Sequence, residues 1–164
     1  MHIALRHACD LDQSTLYEQY KNAMRGHIER IWGWNDEWQR NDFEKSLASC
    51  DTQVIEMNSA ISGYIQTESR ERDLYIRMMI LDQNYRSRGI GKTLINRLAL
   101  KAIESGGKLQ LKVFKVNDRA IKFYKSNGCS IASEDSVWYT MERSTRTITR
   151  AQPSAPANDR GGSR

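Results

Sequence analysis

One segment of the sequence combines glycines with positively charged side chains, a combination suited to binding phosphate groups. It covers residues 86–91, is followed by Lys92, and comes directly after the apolar stretch 74–81, which predicts a buried strand. The residues after it predict an amphipathic helix, whose N-terminus offers unpaired backbone N–H groups. Glycines let that backbone approach an anion without interference from Cβ atoms. The segment therefore predicts a pyrophosphate-binding loop.

The glycine spacing argues against two common nucleotide-binding loops. The dinucleotide-binding pattern GxGxxG needs a third glycine where this chain has Leu94. The P-loop pattern GxxxxGK[ST] matches Gly91-Lys92-Thr93, but Arg86 occupies the position of its first glycine. The phosphate group must therefore belong to a different kind of ligand.

A second segment places a tyrosine on a short predicted helix. Residues 117–128 follow the pattern N-x-x-A-x-x-F-Y-x-x-x-G, with Tyr124 as its tyrosine. Together with R/Q-x-x-G-x-G/A at residues 86–91, this pattern resembles the GNAT superfamily of N-acetyltransferases. The resemblance extends from about Ile3 to Glu142, and one position departs from it, because Cys129 replaces the usual aromatic residue.

The resemblance implies a binding site for acetyl-CoA. In this family the strand before the loop splays from its neighbour, so that its free backbone groups pair with pantetheine, while the loop amides hold the pyrophosphate. Tyr124 matches the tyrosine that protonates the departing CoA thiolate, a task that a phenol hydroxyl can perform. The predicted coenzyme-binding residues are Met79, Ile80, Leu81, Arg86, Ser87, Arg88, Gly89, Ile90, Gly91, Lys92, Asn117 and Tyr124.

The sequence leaves the general base open. Acetyl transfer needs a neutral amine and a polarised thioester carbonyl. Many members of the family carry a glutamate on the strand before the loop, but Arg77 stands near that position here. Glu37 is the catalytic candidate, with Asp36, Glu56 and a chain of water molecules as alternatives.

The acceptor side is predicted from a cluster of tryptophans. Three of the four tryptophans, Trp32, Trp34 and Trp38, fall within seven residues, where the family builds its acceptor pocket. Trp32 fits the buried face of the preceding helix and is predicted to lie in the core. Trp34 and Trp38, with Asp36, are predicted to bind the amine substrate through aromatic walls and a negative charge. Packing between two helices, and stabilisation of a helix N-terminus by Asp36, are the alternatives.

Apolar periodicity predicts the element order β-α-α-β-β-β-α-β-α-β-β, with a turn over the charged residues 68–73. The predicted fold class is α/β (α+β), a mixed central sheet of about seven strands flanked by about four helices, and the resemblance implies the same GNAT fold. We expect an acetyltransferase domain over residues 1–143 and a disordered basic tail over residues 144–164, which contain both prolines.

Composition limits the other classes of function. The 164 residues are 39 % hydrophobic and 27 % charged, which is typical of a globular protein. No apolar run is long enough to span a membrane, and the N-terminus lacks the pattern of a signal peptide, so a cytoplasmic location is expected. Cys9, Cys50 and Cys129 lack zinc-site spacing, so no metal is expected. The net charge of +5 lies largely in the tail, whose arginines have no aromatic neighbours, so no nucleic-acid partner is expected.

The sequence therefore predicts an N-acetyltransferase that moves the acetyl group of acetyl-CoA to a primary amine of a small molecule or peptide, directly in a ternary complex. One alternative is an aminoglycoside-type acetyltransferase, which would need several acids near the acceptor; residues 24–39 hold three acids and two arginines. The other alternative is a catalytically silent acyl-CoA-binding domain. Because GNAT domains are often dimers, a homodimer is a further expectation.

Overall fold

A computed structural model of the protein describes residues 2–144, and within them the helices and strands follow the predicted order. The elements are β1 (Ile3–His7), α1 (Gln13–Ile31), α2 (Asp36–Ser49), β2 (Asp51–Met57), β3 (Ala60–Arg70), β4 (Asp73–Leu81), α3 (Ile90–Glu104), β5 (Leu109–Phe114), α4 (Asp118–Ser126), β6 (Ser130–Glu134) and β7 (Trp138–Arg143). The predicted fold class is confirmed. All but the first residue of the predicted tail lies outside the described residues, so the division into domain and tail stays a prediction.

The seven strands form one mixed sheet in the order β1-β2-β3-β4-β5-β7-β6. Every neighbouring pair is antiparallel except β4 and β5, which are parallel. This parallel pairing covers only residues 74–76 of β4 and 109–111 of β5. Beyond it, β4 continues against β3 as far as Leu81, while β5 continues against β7 as far as Phe114. The two central strands therefore diverge at their carboxyl ends, as the resemblance implies.

Helices cover both faces of the sheet. On one face, α1 and α2 bury a cluster that includes Leu16, Tyr20 and Phe43 against Val54 and Ile80. On the other face, α3 and α4 bury Ile95, Ala102, Ile121 and Tyr124 against β4, β5 and β7. Complete burial of each large apolar side chain stabilises the fold by about 1.5–3 kcal/mol. No helix among residues 2–144 is long and apolar enough to cross a membrane.

The turn predicted over residues 68–73 is shorter than expected. Strand β3 continues to Arg70 and β4 begins at Asp73, so the turn itself comprises Glu71 and Arg72. The Arg70 guanidinium pairs with Glu68 at 3.0 Å and lies 3.5 Å from the centre of the Tyr75 ring on the opposing strand. The contact with Glu68 lies within β3 and the contact with Tyr75 crosses the hairpin, and together they explain why charged residues extend the strands here.

A charged cluster fastens β1 to the start of α1. The Arg6 guanidinium donates two hydrogen bonds to Asp12, at 2.7 and 2.8 Å, and a third to Glu56 at 2.7 Å. Asp12 is buried and also accepts the backbone N–H of Cys9 at 2.9 Å. The hydrogen bonds from Arg6 lower the pKa of Asp12 well below its usual range. Asp12 is therefore stabilised as a carboxylate in the folded chain.

Replacing Asp12 with Asn should lower the free energy of unfolding at pH 7 by about 1.5–3 kcal/mol, because charge-assisted hydrogen bonds are lost. The pKa of Asp12 is lower in the folded than in the unfolded chain, so its contribution is present above about pH 4 and disappears as the pH falls further. Urea unfolding at pH 7 and pH 3 measures both effects. Asp10→Asn, at an exposed neighbouring position, is the control. If the difference in the free energy of unfolding between the wild type and the Asp12→Asn variant were the same at both pH values, the proposed role of the Asp12 charge would be wrong.

Candidate active site

A cleft of ≈ 380 Å³ opens where β4 and β5 diverge. We call it the loop-side cleft; it is bounded by the end of β4, the loop after it, the first turn of α3, one face of α4 and part of α1. Ten of the twelve predicted coenzyme-binding residues line it: Met79, Ile80, Leu81, Arg86, Ser87, Gly89, Gly91, Lys92, Asn117 and Tyr124. The structure thus brings together residues from two stretches of the chain, 79–92 and 117–124.

The side chains of Arg88 and Ile90 do not line the loop-side cleft. The Arg88 guanidinium lies 5.7 Å from the centre of the Tyr85 ring. Ile90 is buried and packs in the core with Ile55 and Leu94. Only the backbone of these two residues is placed to contribute to an anion site at the start of α3.

The end of β4 presents unpaired backbone groups to the cleft. Asp82 donates its N–H to the carbonyl of Ser62 at 2.8 Å, and the hydrogen bonds of an antiparallel pair repeat every two residues. Ile80 therefore turns its backbone groups toward β3, while Met79 and Leu81 turn theirs toward the gap. The Leu81 carbonyl accepts a hydrogen bond from Arg86 Nε at 2.7 Å, which fastens the loop to the strand end.

The first turn of α3 has the features of an anion site. Its N-cap residue is Gly89, at φ +78°, and no side chain of the described residues caps the helix. Its first turn contains no acidic residue. Helices α2 and α4 differ, because Asn35 and Asn117 cap them with hydrogen bonds to their side chains. The N-terminal N–H groups of α3 are therefore left without a side-chain acceptor and can bind an anion.

A tight contact sets the position of α3 against α4. A Cβ atom at Gly91 would lie 2.8 Å from Cζ of Phe123, closer than carbon atoms can approach. Phe123 lines the loop-side cleft, so a side chain at position 91 would move a wall of the cleft. Glycine at this position therefore has a packing role that is separate from its freedom of backbone conformation.

Three cations line the loop-side cleft, Arg86, Lys92 and Arg119, whereas no acidic residue of the described chain does. Burial lowers the pKa of Arg86, and the like charge of Arg119 lowers it further. His27, also on the wall, has its pKa lowered by burial and by the charge of Arg30. An anionic group bound here would relieve the repulsion between these cations.

Tyr124 lies in the wall of the loop-side cleft. Its ring packs edge-to-face against Phe123, with 5.2 Å between the ring centres. Burial raises the pKa of Tyr124, so its hydroxyl remains protonated at neutral pH. Asn117 lies at the start of the same helix, accepts the backbone N–H of Ala120 at 3.1 Å, and also lines the cleft. Arg119 and Phe123, which the sequence analysis missed, lie on the same helix.

A second cavity, also of ≈ 380 Å³, lies on the sheet face covered by α1 and α2. We call it the aromatic cavity, because its walls include Tyr20, Trp32, Trp38, Phe43, Tyr64, Tyr75, Phe114 and Trp138. Met24 lines both cavities, and the adjacent residues Met78 and Met79 line one cavity each. The two cavities therefore approach one another beside the diverging end of β4.

The structure reverses the predicted roles of two tryptophans. The prediction that Trp32 lies in the core is wrong, because it follows the last residue of α1 and is 61 % exposed. Its ring meets Phe114 at 5.7 Å and Trp138 at 6.1 Å in the wall of the aromatic cavity. Trp34 instead packs against Tyr20 and does not line the cavity, whereas Trp38 does.

The acids proposed from the sequence line neither the loop-side cleft nor the aromatic cavity. Asp36 accepts hydrogen bonds from the Tyr17 hydroxyl at 3.2 Å and from Trp34 Nε1 at 3.3 Å. Glu37 is exposed and lines neither cavity, and Glu56 is paired with Arg6. Within the described residues, Asp42 is the acid that lines the aromatic cavity. Its position could have been inferred from helical spacing, because Asp42 follows Trp38 by four residues and so shares its helix face.

No group of three or more His, Cys, Asp or Glu side chains within residues 2–144 is arranged to hold a metal ion. His7 and Asp51 pair at 3.2 Å beside Cys9 and Cys50, but these residues line a separate surface cavity. In this part of the chain, neither the loop-side cleft nor the aromatic cavity offers more than one such ligand. The chemistry of the site is thus carried by aromatic, cationic and backbone groups.

Comparison of the sequence with known proteins identifies one family model and one curated relative. The model described as the acetyltransferase (GNAT) family matches residues 14–129. Thialysine N-ε-acetyltransferase of Bos taurus is 32 % identical over 69 residues, which is 42 % of this chain and 41 % of that protein. The aligned region therefore spans about two fifths of each protein.

Comparison of the structure finds the same fold in solved acetyltransferases. PaiA N-acetyltransferase from Thermoplasma acidophilum, in complex with coenzyme A, has a TM-score of 0.71 at 19 % identity, over 88 % of this chain and 100 % of that chain. YncA from Salmonella typhimurium, with its cofactor acetyl-CoA, has a TM-score of 0.60 at 17 % identity, over 96 % of this chain and 99 % of that chain. An Arabidopsis thaliana protein in complex with the bisubstrate analogue CoA-Ac-MVNAL has a TM-score of 0.64 at 22 % identity, over 88 % of this chain and 100 % of that chain.

Replacing Gly91 with Ala should push Phe123 into the loop-side cleft. Overpacking of this kind costs about 1–3 kcal/mol, so we expect CoA affinity to fall roughly tenfold. Isothermal titration with CoA measures the effect. Gly26→Ala is the control, since a Cβ atom there meets nothing within 4 Å and alanine favours the helix. Equal CoA affinity of the two variants would mean that the coenzyme binds elsewhere.

Proposed function

Because the chain belongs to the GNAT family of acetyltransferases, we propose that it transfers the acetyl group of acetyl-CoA directly to a primary amine of a small molecule or peptide. The observation that carries this proposal is the approach of two chemically different cavities at Met24. The loop-side cleft is cationic and suits a coenzyme phosphate, while the aromatic cavity suits an amine. A ternary complex would hold thioester and amine together, so no acetyl-enzyme intermediate is needed.

The loop-side cleft supports a specific placement of the coenzyme. The pyrophosphate would accept hydrogen bonds from the uncapped N–H groups at the start of α3, beside Lys92 and Arg119. The pantetheine arm would pair with the backbone groups of Met79 and the N–H of Leu81 along the gap, since the Leu81 carbonyl is already bonded to Arg86. The thioester then lies near the end of β4, where the two cavities approach each other. The complexes of PaiA and YncA with CoA and acetyl-CoA are consistent with this use of the fold.

The transfer step can be written with the groups of this site. The neutral amine nitrogen forms a bond to the thioester carbonyl carbon, and the developing oxyanion accepts the free N–H of Met79. The nitrogen loses a proton to water, the C–S bond breaks, and the sulfur takes the Tyr124 proton to leave as the thiol. Water then returns a proton to the tyrosinate. The products are the N-acetylated amine and CoA, and the enzyme is unchanged.

The charges of the aromatic cavity disfavour the aminoglycoside-type alternative. A polycationic acceptor would meet Arg77 and Lys112, with Asp42 as the acidic residue among the described lining residues. An acceptor with one amine is better matched to aromatic walls. The silent-domain alternative predicts acetyl-CoA binding without CoA release on any amine, which a panel of amines and peptides would reveal. A cytoplasmic location and a homodimer stay predictions from the sequence.

Replacing Tyr124 with Phe should lower kcat about 100-fold, the scale of one acid catalyst, while acetyl-CoA affinity changes little. Because burial raises the pKa of Tyr124, the wild-type rate should rise with pH as the amine loses its proton and should not fall again below about pH 10. Release of free CoA between pH 6 and pH 10 measures both predictions. An unchanged kcat in the phenylalanine variant would remove Tyr124 from the mechanism.

Replacing Arg119 with Gln should weaken acetyl-CoA binding about threefold to tenfold at low salt, because one cation near the pyrophosphate is lost. The loss should shrink as ionic strength rises, since screening weakens the charge of a partly exposed arginine. Lys122→Gln is the matched control, because Lys122 lies on the same helix but outside the lining of the cleft. Equal losses of acetyl-CoA affinity in the two variants would indicate only a general attraction of the anionic coenzyme to a cationic surface.

A further inference from the structure

Two cations occupy adjacent positions at the point where β4 and β5 diverge. The last paired residues are Ile76 and Leu111, and Arg77 and Lys112 follow them on the two strands. Both side chains line the aromatic cavity. Both residues are exposed, and the strands no longer pair beyond Ile76 and Leu111, so water accommodates the two charges. Together they give this end of the cavity a positive charge that an anionic ligand would neutralise.

The nearby acids compensate this charge only in part. Asp42 lies 3.5 Å from Arg77 Nη2, and Arg77 Nε also donates to Ser46 Oγ at 2.9 Å. Lys112 forms no salt bridge within residues 2–144. Asp135 accepts the N–H groups of Val137 and Trp138 at 2.8 Å and does not line the aromatic cavity. Among the described residues that line the cavity, Arg77, Lys112 and Asp42 therefore leave one net positive charge.

The Tyr64 hydroxyl is a second, independent sign of a polar ligand. Tyr64 lines the aromatic cavity, is 0 % exposed, and its buried hydroxyl has no hydrogen-bond partner among the described residues. The neighbouring Tyr20 hydroxyl donates instead to Gln39 Oε1 at 2.6 Å. Burial raises the pKa of Tyr64 well above its ordinary value, so the hydroxyl is a donor at neutral pH. A buried hydroxyl without a partner costs about 1–3 kcal/mol, which an anionic ligand would offset.

We propose that the acceptor is a small amino acid-type molecule, whose carboxylate binds Arg77, Lys112 and the Tyr64 hydroxyl. Its apolar or aromatic body packs between Trp32, Trp38 and Trp138, and its amine points toward Met24 and the thioester. This assignment rests on the proposed acetyltransferase function and narrows its substrate class. A peptide N-terminus fits less well, because it carries no carboxylate at a fixed short distance from its amine.

The size of the aromatic cavity agrees with this class of acceptor. Its ≈ 380 Å³ is at the lower end of the range of small-molecule pockets, about 300–1,000 Å³. Along β4, Arg77 and Met79 are about 7 Å apart, since a strand rises about 3.3 Å per residue. The carboxylate and amine of one small molecule can therefore occupy the cationic end and the end nearest the thioester at the same time.

Matched pairs of amines test the proposal, with free CoA release as the measurement. Phenylalanine is compared with phenethylamine, and 6-aminohexanoate with pentylamine, so that each pair differs by a carboxylate. We expect kcat/KM to be at least about tenfold higher for the acid in one pair or both. Lys112→Gln should reduce this preference, and Lys101→Gln, on the exposed end of α3, should retain it. Equal rates within both pairs would overturn the proposal while leaving the acetyltransferase function intact.

A binding measurement separates failure of this proposal from failure of the proposed function. Quenching of tryptophan fluorescence reports binding of 3-phenylpropionate, which has no amine and cannot be acetylated, and of the neutral 3-phenylpropan-1-ol. The acid should bind about tenfold more tightly than the alcohol, and Tyr64→Phe and Lys112→Gln should each reduce this difference. Equal affinity for acid and alcohol would overturn the anion site. If the acid binds more tightly than the alcohol but no amine in the panel leads to CoA release, the acetyltransferase proposal fails while the anion site stands.

Discussion

The short parallel pairing of β4 and β5 is the constraint on which the site depends. After three residue pairs, β5 remains with β7 and β4 remains with β3, so the backbone of β4 loses a partner on one side. Unpaired backbone groups are costly when buried, and a cleft that admits a ligand or water avoids this cost. The same divergence opens the space for both cavities, so the proposed donor and acceptor sites arise from one feature of the sheet.

Close packing holds the two strands apart. A Cβ atom at Gly63 would lie 2.0 Å from the carbonyl oxygen of Ile80, so glycine allows β3 and β4 to approach very closely. On the other side, the rings of Phe114 and Trp138 stack at 3.8 Å, across the last pair of β5 and β7. Each strand is thus held more firmly by its antiparallel neighbour than by its parallel one. This packing favours the separation of β4 from β5 at their carboxyl ends.

The sequence predicted features that depend on local pattern and missed those that depend on distant contacts. The element order follows from apolar periodicity and glycine positions, which are properties of short segments. Trp32 was predicted to be buried because it follows Ile28 by four residues, but α1 ends at Ile31, so the helical spacing does not extend to Trp32. Lys112 and Trp138 were missed in the aromatic cavity, since only the sheet brings β5 and β7 beside α1 and α2.

The cations of the aromatic cavity also bear on the general base, which the sequence leaves open. Arg77 stands near the position where many members of the family carry a glutamate, and Lys112 lies beside it. Positive neighbours lower the pKa of an ammonium group, and about 1.4 kcal/mol of such repulsion raises the ratio of neutral amine to ammonium tenfold. Aromatic walls add a desolvation cost that acts in the same direction. A site of this composition can therefore release the amine proton to water without a carboxylate to receive it. The acceptor's own carboxylate would offset the repulsion between its ammonium group and the two cations as the acceptor enters the cavity.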